Sequence, residues 1–218
     1  MLEHDVSPGP DGAPVPSPYR LREIDRATSS TVRSVEVGDR VLAFAPPFAG
    51  KALLVHESGA VRAMSWPGGT FEPLDPPPGG RLRQFVALSP QGDRAYMAVE
   101  GERAAVVEWD TATMRARTIP LGRPAAIRGL ALSPTGDAVL VDALRRVARV
   151  PLRGGSPTWA ELDAPHQGAA LSRDGRRLWL ARPVDGDGGA VTCLDARTLA
   201  PLSKVALADV GPFVVAVP

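Results

Sequence analysis

Short runs of apolar residues alternate with turn-forming residues along most of the chain. The apolar segments at 95–99, 138–141 and 178–181 are almost continuous, which is the pattern of strands that are buried on both faces. Each segment follows a stretch rich in Ser, Pro, Gly and Asp, which favour tight turns. The pattern therefore predicts short strands connected by turns, with little helix.

One turn motif occurs three times. The sequence LSPQGD at 88–93 returns as LSPTGD at 132–137, 44 residues later, and as LSRDGR at 171–176, another 39 residues on. Serine at the first turn position, proline at the second and glycine at the fourth are typical of a type I turn. Each copy therefore predicts a tight connection between two antiparallel strands.

A second turn motif begins at Asp25, Asp110 and Asp195, which are spaced by 85 residues. Each aspartate can accept a hydrogen bond from the backbone N–H two residues later and so close a hairpin. Half of this spacing is about 42 residues. The Gly-Gly segments at 66–69 and 152–155 lie at these intermediate positions and so correspond to the same turn of the repeat. The two motifs together predict repeats of four short strands in up-and-down order.

The repeats can be placed along the chain. In the clearest repeat, strands are predicted at 83–88, 94–99, 104–109 and 115–121. The same spacing predicts full repeats at 40–80, 81–124, 125–165 and 166–211, although the first has PPFAG at 46–50 in place of the Ser-Pro turn. Four-stranded units of this length are the blades of a β-propeller, so we predict an all-β propeller domain over residues 19–218.

Each end of this domain carries part of a further blade. Residues 19–25 and 31–37 match third and fourth strands, and residues 213–217 match a first strand. If the ends pair, the propeller has four full blades and one incomplete blade without a second strand, and its exposed edges are covered. A small closed ring, a ring completed between copies in a homo-oligomer, and a truncated relative all stay open. Residues 1–18, rich in Pro and Gly, are predicted to be a disordered lead-in.

These turns resemble those of the bacterial β-propeller repeat proteins of the YVTN-type and WD-repeat-like superfamily. Blades of that superfamily carry a Ser-Pro-Asp-Gly-like turn and an Asp-Thr-Ala-Thr-like turn, here matched by 89–93, 133–137, 172–176 and 110–113 with its relatives at 25 and 195. The resemblance covers residues 19–218. It implies a propeller but no single function, because the superfamily includes scaffolds, ligand sensors, lactonases and redox enzymes.

Composition narrows the classes of partner. The chain has 25 basic and 24 acidic side chains and a formal net charge of +1, which speaks against a surface built for nucleic acid or an anionic membrane. No apolar run approaches the roughly 18 residues of a membrane helix, and the first residues lack the pattern of a secretory signal. A cytoplasmic protein is therefore expected. Cys193 is the single cysteine, so no internal disulfide is expected.

The sequence shows no catalytic constellation. His4, His56 and His166 are the three histidines, too few for an imidazole-rich metal site. His166 falls in a predicted loop between blades and is a candidate residue at the propeller mouth. The sequence DGDGG at 185–189 begins like a calcium loop but lacks the closing Glu, and it fits a hairpin turn. We therefore predict no catalytic residue, metal or cofactor.

Arginines are concentrated in one stretch. Residues 115–153 contain eight arginines and two aspartates, a net charge of +6. Candidate contacts for an anionic partner, such as an acidic protein segment or a phosphate, are Arg145, Arg146, Arg149 and Arg153. The alternative is a solvated outer hairpin. The tryptophans, of which Trp109 directly precedes a turn aspartate, are predicted to pack between blades rather than to stack on a ligand.

The expected function is a non-catalytic propeller scaffold that binds a protein or peptide partner on its loop face. The alternative is a lactonase-like or sugar-processing propeller enzyme, or a small-ligand sensor, with acidic or histidine side chains gathered at the central mouth. We expect no membrane partner and no nucleic acid. A divalent-metal requirement would favour the alternative.

Overall fold

The computed structural model describes residues 19–78, 80–166, 168–183 and 189–207, and three short strands before residue 19. All regular secondary structure in these residues is β-strand, so the prediction of an all-β fold is confirmed. The described part of the chain contains no helix long and apolar enough to span a bilayer. The chain divides into two compact units, Met1–Pro76 and Pro77–Pro218.

The first unit contains a three-stranded sheet and a four-stranded sheet, which we call sheet I. Its strands are β1 (Leu2–Glu3), β2 (Val6–Pro8), β3 (Pro14–Pro16), β4 (Tyr19–Ile24), β5 (Thr31–Gly38), β6 (Val41–Phe48), β7 (Lys51–His56), β8 (Val61–Ser65) and β9 (Phe71–Leu74). The strand order is β1-β4-β5 in the three-stranded sheet and β6-β7-β8-β9 in sheet I, while β2 pairs with β3. Leu21 and Val37 of the three-stranded sheet are buried in one apolar cluster with Leu54 and Met64 of sheet I.

The three-stranded sheet contains the strands that were predicted for the incomplete terminal blade. Its strands β4 and β5 pair antiparallel, as predicted for 19–25 and 31–37. The edge of β4 where a second strand was expected to be missing is paired with β1. This strand and the β2–β3 hairpin lie within residues 1–18, the predicted lead-in. The predicted strand at 213–217 lies outside the described residues, so pairing of the two chain ends stays a prediction.

The second unit contains three four-stranded antiparallel sheets. Sheet II comprises β10 (Arg81–Leu88), β11 (Arg94–Glu100), β12 (Ala105–Asp110) and β13 (Ala116–Pro120). Sheet III comprises β14 (Gly129–Leu132), β15 (Ala138–Asp142), β16 (Arg146–Pro151) and β17 (Thr158–Glu161). Sheet IV comprises β18 (Gly168–Leu171), β19 (Arg177–Pro183), β20 (Gly189–Asp195) and β21 (Pro201–Leu207). Strand order follows chain order in each sheet, which confirms the predicted four-stranded repeats.

Inner strands of these sheets are more buried than the fourth strands. On β15, Val139 and Val141 lie in the apolar cluster shared with sheet II, whereas Leu140 lies in the cluster shared with sheet IV. Because successive side chains of a strand point to opposite faces, both faces of β15 are buried, which confirms the prediction for the apolar run at 138–141. The fourth strands β13 and β21 are mostly exposed.

The first strands of the three sheets lie next to one another. Strand β14 contacts β10 on one side and β18 on the other. Sheets II, III and IV therefore converge on their first strands and present their fourth strands outward. This arrangement is consistent with a β-propeller-like fold.

The Ser-Pro-type turns form as predicted. The N–H groups of Gly92, Gly136 and Gly175 donate to the carbonyl of the serine three residues earlier at 2.8 to 2.9 Å. In every copy the serine hydroxyl also donates to an aspartate Oδ1 at 2.6 Å. In the third copy this acceptor is Asp174, two residues after Ser172, whereas the first two copies use an aspartate four residues on.

The Asp-type turns also form as predicted. The Oδ1 atoms of Asp25, Asp110 and Asp195 accept the N–H two residues on at 2.8, 3.1 and 3.0 Å. Each also accepts the N–H of the threonine three residues on. The hydrogen bonds from these threonine N–H groups are the main reason why the pKa of each of the three carboxyls is lowered. The turn aspartates are therefore ionised and engaged in holding hairpins.

Candidate functional site

The sheets of the second unit have two ends with different polar chemistry. The turn end carries the Ser-Pro-type and Asp-type turns. The loop end carries the hairpins at 101–104 and 143–145 and the connections at 121–128 and 162–166. Asp185 and Asp187 of the calcium-like sequence lie outside the described residues.

The carboxylates at the turn end are engaged by their own turns. A groove of about 360 Å³ between sheets III and IV is lined by Asp137, Asp174 and Asp195 together with arginines. The hydrogen bond from Ser133 is the main cause that lowers the pKa of Asp137 to about 2. The Ser172 hydroxyl likewise lowers the pKa of Asp174. Since these carboxylates accept bonds from their own turns, the groove's negative charge serves the fold.

The four arginines predicted as candidate contacts for an anionic partner, which strand alternation already indicates do not all share one face, are spread along β16 and its flanking turns. Arg149 donates from Nη2 to Asp137 Oδ2 at 2.5 Å, and Arg153 is exposed at the turn end after β16. Arg145 and Arg146 stand at the other end of β16, roughly 20 Å along the strand from Arg153, whereas Arg149 lies within the strand, about 10 Å from Arg146. One compact partner group cannot contact all four. An anionic partner for any of them stays a prediction.

Arg146 instead joins residues from other segments in what we call the arginine–tryptophan cluster: Arg123, Arg146, Trp159 and Glu161. The Arg145 guanidinium donates to the Asp163 carbonyl at 3.2 Å. The Cζ atoms of Arg123 and Arg146 lie 4.9 and 5.5 Å from the centroid of the Trp159 ring, within the range of a cation–π interaction. The Trp159 indole N–H donates to the Leu121 carbonyl at 3.2 Å, which fixes the ring. The cluster is a cationic surface with a rigid aromatic base.

A buried carboxyl group, that of Asp142, lies four residues before Arg146 in the sequence. Asp142 ends β15 and is 3% exposed, and no described donor bonds to either oxygen in hydrogen-bond geometry. It lines an enclosed space of about 20 Å³ between sheets III and IV, enough for about one water molecule. Desolvation raises the pKa of Asp142 to about 7, and the nearby Leu144 amide and Arg128 guanidinium offset only part of this effect.

His166, the predicted mouth residue, is buried rather than solvated. It is 1% exposed, and its backbone N–H donates to the Leu144 carbonyl at 2.9 Å. Desolvation, followed by the positive charge of Arg182, lowers the pKa of His166, so the ring is neutral at pH 7. The neighbouring Asp163 carboxylate is engaged by Lys204 and by Arg182, the latter at 3.8 Å. Contact of His166 with a ligand stays a prediction.

The two remaining histidines are His56 and His4. His56 is buried in the first unit, where its Nδ1 lies 3.3 Å from the Asp39 carbonyl oxygen. Desolvation and then Arg62 lower the pKa of His56. His4 lies outside the described residues. Within the described part of the chain, no group of three His, Cys, Asp or Glu side chains is placed to hold a metal ion.

Sequence reasoning missed two of these features. In the sequence, Asp142 counted only as one of the two negative charges of the basic stretch. Its position at the end of an apolar run that is predicted to be buried on both faces is nevertheless a signal of a buried carboxylate. Arg123 and Trp159 are 36 residues apart in the chain, and no local pattern brings them together. Trp109, by contrast, is 1% exposed, consistent with its predicted packing role.

Comparisons with known proteins name no relative. No family model matches the chain, and no curated protein matches it significantly. The kinship suggested by the turn motifs therefore stays a proposal, and the function has to be argued from the site.

Proposed function

We propose that the four-stranded sheets are blades of a β-propeller of the YVTN-type or WD-repeat-like class, and that the protein is a non-catalytic module that binds a protein or peptide partner at the loop end of its second unit. The convergence of β10, β14 and β18 supports the propeller. A cytoplasmic location and a homo-oligomer completed through the terminal strands belong to the same proposal.

The observation that carries the binding function is that the loop-end arginines use only part of their hydrogen-bond donors. At the turn end the aspartates are held by their own turns, as Asp137 is by Ser133 and Arg149. At the loop end the guanidinium groups of Arg145 and Arg146 donate to backbone carbonyls of Asp163 and Pro124. A guanidinium has five N–H donors, so these arginines keep donors for a partner.

Site-specific photo-crosslinking tests this proposal. We expect a photoreactive amino acid at the exposed loop-end positions Glu102 and Ala126 to capture one and the same protein in cells that express the chain. Matched probes at the exposed turn-end positions Gln91 and Thr135 are expected to capture none of it. Equal capture from both ends, or capture from the turn end alone, would contradict the proposal.

A small-ligand sensor or enzyme is the second candidate, and Asp142 favours it. A buried carboxyl with a raised pKa beside an enclosed space is a recurrent feature of functional sites. Thermal unfolding against a panel of divalent metals and lactones separates the candidates, because a ligand of the folded state raises the midpoint. Stabilisation by one compound that is lost in Asp142→Asn would establish the second candidate over the first.

A further inference from the structure

The buried carboxyl of Asp142 occupies a position that the neighbouring repeats fill with alanine. Ala98 of sheet II lies 44 residues earlier and Ala181 of sheet IV lies 39 residues later, the same spacings that separate the Ser-Pro-type turns. Both alanines are buried, and Ala181 pairs with Gly168 as Asp142 pairs with Gly129. The four-stranded repeat therefore does not require a carboxyl at this position.

We infer that Asp142 is a proton-operated switch at the loop end of the boundary between sheets III and IV, which we call the seam. In the protonated form the carboxyl stays in its enclosed space and the seam is closed. In the ionised form the carboxylate turns outward to Arg128 and water, and the hairpin at 143–145 opens. The switch belongs to the chain alone and is independent of the proposed binding function.

The enclosed space around the carboxyl offers no partner to a negative charge. Apart from Asp142 it is lined by apolar residues of β14, β15, β16, β18 and β19. The Oδ2 atom lies 3.9 Å from the place that a Cβ would take on Gly129, and that place is 4.0 Å from the Cβ of Ala169. A carboxylate has about four acceptor sites, whereas the space holds about one water molecule. An unpaired charge buried in such a place is strongly unfavourable.

Arg128 offers the ionised carboxyl a partner outside this space. Its backbone N–H donates to the Asp142 carbonyl at 2.8 Å, and its side chain is exposed. The positive charge of Arg128 lowers the pKa of Asp142 against the larger effect of burial. On the far side of the hairpin, the charges of Arg182 and Asp163 act on the His166 ring, whose pKa is lowered from 6.5. Asp142 is therefore the group of the seam that titrates near pH 7.

The hairpin that directly follows Asp142 ties sheet III to the connection that leads to sheet IV. The Leu144 carbonyl accepts the His166 N–H at 2.9 Å, and the Arg145 carbonyl accepts the Leu162 N–H at 2.8 Å. Leu144 has a φ of 63°, in the left-handed region that leucine rarely adopts, so its surroundings hold this turn. Outward rotation of the adjacent carboxyl would release these two N–H groups, which report on the seam.

Hydrogen-exchange mass spectrometry of the wild-type protein and of Asp142→Asn, at pH 6.0 and pH 8.5, tests the inference. Comparison of the two proteins at one pH cancels the intrinsic pH dependence of exchange. In the peptide that covers 162–166, the ratio of exchange rates, wild type over variant, should rise about tenfold between the two pH values. The reason is that the carboxyl ionises over this range, with a pKa of about 7, and local opening exposes it to water. In β11, which carries Ala98, the ratio should change less than twofold.

Two arginine variants test the outward position of the carboxylate. Arg128→Gln should make the tenfold rise at least twofold smaller, because the ionised carboxyl loses its pairing partner. The matched control Arg153→Gln removes the same charge from the exposed turn end and should leave the rise unchanged. If Asp142→Asn does not fold by circular dichroism, Asp142→Ala replaces it, because alanine occupies the equivalent positions of sheets II and IV.

Three results would overturn the inference. A constant ratio in the 162–166 peptide would show that Asp142 does not control the seam. An equal rise in β11 would show that ionisation destabilises the whole domain without a local opening. A rise that is the same in Arg128→Gln would refute the outward pairing with Arg128. Loop-end crosslinking bears only on the binding function, so either proposal can fail without the other.

Discussion

We expect the stability of the Asp142→Asn variant to depend less on pH than the stability of the wild-type protein. The wild-type protein loses stability as the pH rises through 7 and the variant does not, so the difference in stability between the two proteins changes over this range. The carboxyl is buried without a described hydrogen-bond partner, and its pKa of about 7 lies above the ordinary value of 3.8. Folding therefore takes up a proton. This contribution to the free energy of unfolding is complete below pH 3.8 and is lost as the pH rises through 7.

The expected loss of stability can be measured. Between pH 6 and pH 8.5 the wild-type protein should lose about 1.4 kcal/mol that Asp142→Asn does not lose, because one pH unit below the folded-state pKa corresponds to that amount. In a chain of this size it moves the thermal midpoint by about 3 to 5 °C. His56 and His166 have lowered pKa values, so their contribution has the opposite sign and is lost below about pH 6.5.

Because the histidines are common to both proteins, their contribution cancels in the difference between the two profiles. Thermal unfolding of both proteins at half-unit pH intervals gives that difference directly. Parallel profiles over the whole range would show that Asp142 is not a buried proton-binding group.

Gly175→Ala is expected to destabilise the protein by about 2 to 4 kcal/mol, while Gly136→Ala costs about 1 kcal/mol. Both glycines occupy the fourth position of a Ser-Pro-type turn with φ of +69° and +66°, so both variants place a side chain in the left-handed region. They differ in their surroundings. A Cβ on Gly175 would lie 2.4 Å from Cδ of Pro134, whereas a Cβ on Gly136 would meet nothing within 4 Å.

The pair of variants separates backbone strain from packing between turns. Gly136→Ala reports the strain of positive φ alone, and the excess loss in Gly175→Ala reports the contact of the sheet IV turn with Pro134 of the sheet III turn. Urea unfolding of both variants measures this excess. A Gly175→Ala, Pro134→Ala double variant should recover part of it, because the proline ring is the atom group in the way. Equal losses in the two single variants would contradict the turn-on-turn contact.

The repeats were accessible to sequence reasoning because their signals are local. The strands predicted at 83–88, 94–99, 104–109 and 115–121 are observed within two residues at each end, since the turn hydrogen bonds of Ser89 and Asp110 join them to residues a few positions away. The arginine prediction rests on the same local signal. Arg145, Arg146, Arg149 and Arg153 are neighbours in sequence, and β16 spreads them along its length.

The sequence by itself determined the all-β class, the four-stranded repeats, and the turns at Asp25, Asp110 and Asp195, because turn chemistry and strand alternation act over two to five residues. Only the tertiary structure decided which side chains meet. Packing of sheet III between its neighbours withdrew Asp142 from water and set Gly175 against Pro134. Strand pairing with a connecting loop placed Arg123 and Arg146 over Trp159. Contacts depend on distant segments, which no local pattern in the chain brings together. The one local signal is the apolar run that Asp142 ends.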